Sequence, residues 1–211
     1  MSRIIKVGMD TASDIEAIDE CLEFILKGGV IAYPTETFYG LGVNAYDKKA
    51  VKKIFELKGR SPDKPLLVLI GHKEQLYELI EKPIFSFEKL TDRFWPGPLT
   101  IVFKASQNLP DILHGNTGKI GVRISGHSLA RDLPLRAKLP ITSTSANISG
   151  KPVLKSAFDI KSEWGDRIDL ILDGGILTES RGSTIVDISK NRPLLVREGD
   201  IPFEEIKRIV D

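Results

Sequence analysis

A mixed α/β fold, a twisted open sheet with flanking helices, is what the 211-residue sequence predicts. Three observations carry the prediction. Short runs of strand-forming residues recur along the whole chain. Segments with apolar residues at helical spacing lie between them. The two kinds of segment mix without strict β-α alternation, which points to a mixed sheet. At about 150 residues per domain the length suits one domain spanning 1–211, and no repeat, low-complexity tract or linker divides it.

The first predicted element is a helix. Ser13-Asp14-Ile15-Glu16 has the S-x-x-E spacing of a capping box, in which hydroxyl and carboxylate each satisfy an orphan amide. Ile15, Ile18, Leu22, Ile25 and Leu26 recur at helical spacing, and Gly28-Gly29 ends the pattern where a left-handed residue is needed. Val30-Ile31-Ala32-Tyr33 reads as a short buried strand stopped by Pro34. Asp47 can cap a second helix, with Val51, Ile54 and Phe55 on its apolar face and Lys48, Lys49, Lys52 and Lys53 on its wet face. The unbroken apolar run 66–70 is the mark of a strand covered on both faces. Further strands are expected at 99–104, 119–124, 140–144, 169–172, 183–188 and 194–197, and further helices at 73–81, 85–93, 127–137, 156–164 and 203–210.

Composition removes several function classes. One cysteine excludes a disulfide framework, a CxxC redox pair and a cysteine-rich zinc site. His72, His114 and His127 fit no metal-ligand spacing, so no protein-held metal is expected. The apolar runs fall far short of the roughly 18 residues of a membrane span. Met1-Ser2-Arg3-Ile4-Ile5-Lys6 does not read as a signal peptide, so a soluble cytoplasmic chain is expected. A net charge of +1 argues against bulk nucleic-acid coating and leaves room for a local basic cleft. Neither a G-x-x-x-x-G-K-[ST] loop nor a G-x-S-x-G elbow occurs. Gly40-Leu41-Gly42-Val43-Asn44-Ala45 imitates a dinucleotide fingerprint, but Pro34 to Tyr39 separate it from the strand and the helix cap comes only at Asp47.

Four stretches carry chemistry. Pro34 to Gly42 leaves the end of a buried strand, where open sheets put ligands, and its threonines can donate and accept; a turn with glycine-rich packing is the bland alternative. Lys58-Gly59-Arg60-Ser61-Pro62-Asp63-Lys64-Pro65 is a stiff loop with three cations. A helix dipole accounts for cations near the helix end, whereas Arg60 and Lys64 lie beyond its reach and suit a polyphosphate. Pro140 to Gly150 is crowded with hydroxyls, which fits either an exposed edge or an oxyanion nest. Lys119, Arg123 and Arg197 stand at strand ends, where a solvated face competes with carboxylate or phosphate recognition.

Taken together and in order, these stretches resemble the YrdC-like family of threonylcarbamoyl-AMP synthases in its short, single-domain form. The matching pieces are PTETFYGLG at 34–42, KGRSPDKPL at 58–66, RFWPGPLT at 93–100, GVRI at 121–124, TSTSANISG at 142–150, STIVDI at 183–188 and VREG at 196–199. The resemblance implies a twisted open sheet with a basic concave face. It implies condensation of L-threonine, bicarbonate and ATP into threonylcarbamoyl-AMP, with release of pyrophosphate. Threonylcarbamoyl-transferase proteins downstream would then modify adenosine 37 of tRNA. It also implies roles residue by residue. Lys58, Arg60, Ser145 and Asn147 correspond to the family's diagnostic catalytic set, and Thr37, Arg123, Ser143 and Ser183 to contacts with L-threonine. Arg60, Lys64, Lys119, Ser145, Val153 and Arg197 correspond to ATP contacts, with Mg2+ carried by the nucleotide. Two departures stand out: Leu69 replaces a histidine of some members, and Glu36 replaces a common Asp. Resemblance to the short form implies a protein without the linker and second domain of the longer family form.

All the implied substrates are anionic, and crowding them into one cleft costs several kcal/mol at an effective dielectric near 20 unless cations intervene. Six cations from five separated stretches, Lys58, Arg60, Lys64, Lys119, Arg123 and Arg197, are therefore expected to converge. A rival reading of the same basic face is an RNA-binding module, with Phe94 and Trp95 as stacking residues. Large aromatics are usually buried, so Phe94-Trp95-Pro96-Gly97-Pro98 reads better as a core plug.

Overall fold

Helix α1 (Thr11–Leu26) begins two residues before the serine that the sequence offered as its cap. Ser13 therefore lies inside the first turn, and the capping-box expectation is corrected: Asp14 instead receives the Gly8 amide at 2.6 Å. The buried stripe is Ala17, Ile18, Cys21 and Ile25, while Ile15 and Leu26 turn outward. Each isoleucine so buried contributes about 1.5–3 kcal/mol. Gly28 takes the left-handed conformation at φ 75° and turns the chain into β2 (Ile31–Tyr33), as expected. The computed structural model describes residues 2–8, 11–83, 85, 87–190 and 192–210.

Helix α2 (Lys48–Lys58) has the predicted cap: Asp47 accepts from the amides of Lys49 and Ala50. Its lysine face is exposed, and Val51, Ile54 and Phe55 are buried. It ends at Gly59, left-handed at φ 58°, where the Arg60 amide returns to Phe55 O at 3.0 Å. That reversal starts the cationic loop.

Two strands escaped the sequence reading. β1 (Arg3–Lys6) is a mostly exposed edge whose charged ends hide its apolar centre. β3 (Gly40–Gly42) lies within the stretch expected to be a loop leaving the strand end, and glycine is uncommon in strands. Here the absence of a Cβ is required: one on Gly42 would stand 2.6 Å from Tyr33 Cε1 and 2.9 Å from Ile141 Cγ2. The other strands are β4 (Leu67–Leu69), β5 (Leu99–Lys104), β6 (Lys119–Arg123), β7 (Ile141–Ser145), β8 (Leu170–Asp173), β9 (Thr184–Asp187) and β10 (Leu194–Arg197).

Remaining helices are α3 (Leu76–Leu79) after a 3-10 turn, α4 (Glu88–Phe94), the one-turn α5 (Asp111–His114), α6 (Ser128–Ala137), α7 (Ala157–Trp164) and α8 (Phe203–Val210). The helix expected at 85–93 starts only at Glu88, and residue 86 lies outside the described residues. None of the described helices is long and apolar enough to cross a membrane.

The strands form one mixed sheet in the order β1-β8-β2-β3-β7-β4-β6-β5-β9-β10. Four neighbouring pairs are parallel (β1 with β8, β2 with β8, β4 with β6, β5 with β9) and the other five are antiparallel. One face is covered along its length by a core that includes residues of α2, α3, α4, α7 and α8. The other face is covered by α1 and α6, which pack on Ile31, Tyr33, Leu69, Ile141, Leu170 and Leu172. Phe94 and Trp95 belong to the first core, and Trp95 Nε1 donates to Leu99 O at 2.7 Å. These aromatics are plugs, unavailable for base stacking.

Candidate functional site

The helices on the second face stop short of β6, β5 and β9, and a cleft of about 520 Å3 lies there. Strand alternation builds its floor. Thr100 and Val102 of β5, Lys119, Gly121 and Arg123 of β6, Ser143 and Ser145 of β7, and Ile185 and Asp187 of β9 all line it at period two. Register lines one row straight across the sheet: Ser143 opposite Leu67, Leu67 opposite Gly121, Gly121 opposite Val102, Val102 opposite Asp187. The run 66–70 is thus not covered throughout: Leu67 is half-buried in the cleft floor.

Five of the six expected cations, Arg60, Lys64, Lys119, Arg123 and Arg197, line this cleft, with Asp63 and Asp187 as its carboxylates. Five positive groups against two negative ones, in a chain of net charge +1, make a focused field for an anion. Arg60 spends Nε on Lys64 O at 3.1 Å and Nη2 on Pro65 O at 2.8 Å, folding its own loop. Lys119 is held by Asp187 at 2.6 Å. Arg197 donates to Ser183 O at 2.8 Å; burial, then the nearby Arg123, holds its guanidinium below the usual arginine range.

Hydroxyl protons can be assigned from their partners. Thr35 Oγ1 donates to Phe38 O at 2.7 Å, so across the 3.0 Å contact Thr37 Oγ1 is the donor and Thr35 Oγ1 the acceptor. Thr37 Oγ1 accepts from Arg123 Nη1 at 3.3 Å. Ser183 Oγ accepts from Thr100 Oγ1 at 2.9 Å and from Arg197 Nη2 at 3.3 Å, which leaves its proton for a ligand. Ser145 Oγ donates to Asn147 Oδ1 at 2.5 Å.

Lys58, Asn147 and Val153 do not line the cleft. Lys58 is 2% exposed and donates to Ser145 O and Asn147 O, each at 2.5 Å. It staples the Ser145–Asn147 turn to the end of α2. Val153 lies in a second hollow beyond Phe38, beside Leu154, Leu177 and Arg181. Sequence reading missed Asp63, Thr100 and Asp187 as cleft residues. The signal for Asp187 was there: Ser183, Ile185 and Asp187 alternate along a predicted strand.

Burial, then the neighbouring Arg60, pushes the Lys58 ammonium from 10.5 down to about 8. Between those values the unfolded chain holds a proton on Lys58 that the folded chain does not. The contribution of this group to stability is therefore flat below about pH 8 and rises with pH toward about 10.5. Urea midpoints of wild type and Lys58→Met, compared near pH 7 and near pH 9.5, should diverge in favour of wild type at the higher value. A constant gap would refute it.

The sequence signature of the Sua5_yciO_yrdC family, described as "Telomere recombination", matches residues 23–199. A threonylcarbamoyl-AMP synthase of Pyrococcus abyssi is 42% identical over 187 residues, covering 89% of this chain and 55% of that protein. A putative threonylcarbamoyl-AMP synthase of Methanocaldococcus jannaschii is 36% identical over 187 residues, covering 87% of this chain and 86% of that protein. Among solved structures, P. abyssi Sua5 complexed with L-threonine superposes with a TM-score of 0.90 at 38% identity, over 100% of this chain and 61% of that one. The chain spans little more than half the length of the P. abyssi relative.

Proposed function

The chain belongs to the Sua5–YciO–YrdC family, and on that premise we propose that its cleft makes L-threonylcarbamoyladenylate from L-threonine, bicarbonate and ATP. The observation that carries this reading is the convergence of Arg60, Lys64, Lys119, Arg123 and Arg197 with Thr37, Ser143, Ser145 and Ser183 around one cleft. Arg123, Thr37, Ser143 and Ser183 receive the amino acid; Arg60, Lys64, Lys119, Ser145 and Arg197 receive the nucleotide. Lys58 and Asn147 act from below by holding Ser145 in place.

The threonine amine adds to bicarbonate, losing water, to give an N-carboxylate. One oxygen of that carboxylate attacks the α-phosphorus, and the bond to pyrophosphate breaks in line. The chain's part is to bind, align and neutralise, so no side-chain nucleophile is needed. Mg2+ enters with the nucleotide. Of the two cleft carboxylates, Asp187 is already held by Lys119 and the Ser189 amide, so the residues present suit an ion carried by phosphates rather than a protein cage. Bound there, it would spread the charge of the departing pyrophosphate. The adenylate would pass to threonylcarbamoyl-transferase proteins acting on tRNA in the cytoplasm.

The test is pyrophosphate release from ATP and bicarbonate with and without L-threonine; release that ignores threonine ends the reading. Arg60→Ala, which removes a cleft charge and unlatches its loop, should raise the ATP KM and lower turnover, together by about 10- to 100-fold in kcat/KM. Unchanged values for both would reject the phosphate assignment.

A further inference from the structure

Two buried polar atoms beside the cleft have no hydrogen bond among the described residues, and they belong to the two halves of one ion pair: Glu36 Oε1 and Arg123 Nε. Arg123 Nη1 and Glu36 Oε1 stand 3.8 Å apart, with side chains 4% and 21% exposed. That is an ion pair without a hydrogen bond. Arginine and carboxylate so enclosed ordinarily close into two parallel bonds. What holds these two apart lies behind the carboxylate. Ser125 Oγ donates to Glu36 Oε2. Ser125 is fully buried and itself accepts the His127 amide at 3.2 Å. Glu36 follows β2 and Ser125 follows β6, so the contact clamps two strand-end loops together.

We infer that Glu36 is a counter-ion held back by Ser125, close enough to neutralise Arg123 and too far to occupy its donor fork, so that the fork stays open for the carboxylate of an amino-acid substrate. A buried guanidinium with no counter-charge would burden the empty protein. A closed bidentate pair would have to be broken by every incoming substrate. The 3.8 Å separation avoids both. Neither Glu36 nor Ser125 lines the cleft; they act through Arg123. The inference rests on the reading that Arg123 receives threonine's carboxylate.

Titration calorimetry with L-threonine tests it, with ATP binding as the internal comparison. Ser125→Ala frees Glu36 to close on Arg123 and should weaken L-threonine about tenfold with ATP affinity unchanged. Adding Glu36→Gln should restore L-threonine affinity to within about threefold of wild type, a rescue that mere structural damage at Ser125 would not allow. Wild-type affinity in Ser125→Ala, or no recovery in the double variant, overturns the inference. Should Ser125→Ala fail to fold by circular dichroism, Glu36→Gln alone decides. It should melt lower yet bind L-threonine no more weakly than wild type, and weakening of about tenfold or more would mean that Glu36 aims Arg123 directly. A wild-type chain that binds no L-threonine overturns the reading of the cleft itself, and this inference with it.

Discussion

Replacing Arg123 with alanine should weaken L-threonine by about a hundredfold or more while ATP stays within about threefold of wild type. Each charge-assisted bond to a carboxylate is worth about 1.5–3 kcal/mol, and a guanidinium fork offers two. Arg123 is suited to that fork, because among the described residues its one hydrogen bond to a side chain is the 3.3 Å contact to Thr37 and its Nε is unpartnered. The substitution also strands Glu36, whose carboxyl lies below the usual range despite burial because Arg123 and Ser125 hold it ionised. Removing one member of a buried pair costs about 3–5 kcal/mol, and the lower end applies here because Ser125 still bonds the carboxylate. KM values for each substrate and a urea midpoint check the result. Equal losses for both substrates would assign Arg123 to the nucleotide instead.

The second large effect is steric. A Cβ on Gly199 would stand 2.1 Å from Gly182 O and 2.5 Å from Ser183 C, backbone atoms that cannot rotate away. The Gly199 amide also donates to Thr184 Oγ1 at 2.9 Å, and Gly182 O accepts the Asp200 amide at 2.8 Å. Gly199→Ala must therefore pry the chain after β10 from the start of β9. We expect about 3 kcal/mol or more of lost stability. Arg197 and Ser183 would move apart, so turnover should fall for a reason no contact of Gly199 itself supplies. Wild-type stability in a denaturant titration would mean that the two segments separate without penalty.

The helices were legible where apolar spacing and a cap agreed, as in α2 with Asp47 and Gly59. At α1 the S-x-x-E pattern misled because the same residues also suit a first turn. β3 could not be read locally: its glycines answer to neighbours distant in sequence, Tyr33 and Ser143 at Gly40 and Tyr33 and Ile141 at Gly42. In the cleft, the cations at strand ends were readable because period two fixes which residues share a face. Lys58 was not. Its charge suggested a ligand, and only the fold reveals that two backbone carbonyls claim it. The Glu36–Ser125 clamp joins loops 89 positions apart, a separation that sequence spacing does not encode.

Strand order also sets when the binding surface can exist during synthesis. Most of the cleft floor comes from β4 to β7, but Ile185 and Asp187 of β9 and the wall at Ser183 and Arg197 come last, and the outer strand β1 finds its partner only at Leu170. Such long-range pairings form late. A nascent polypeptide on the ribosome therefore carries an unfinished cationic hollow until that last wall has emerged and brought Asp187 and Arg197 to it.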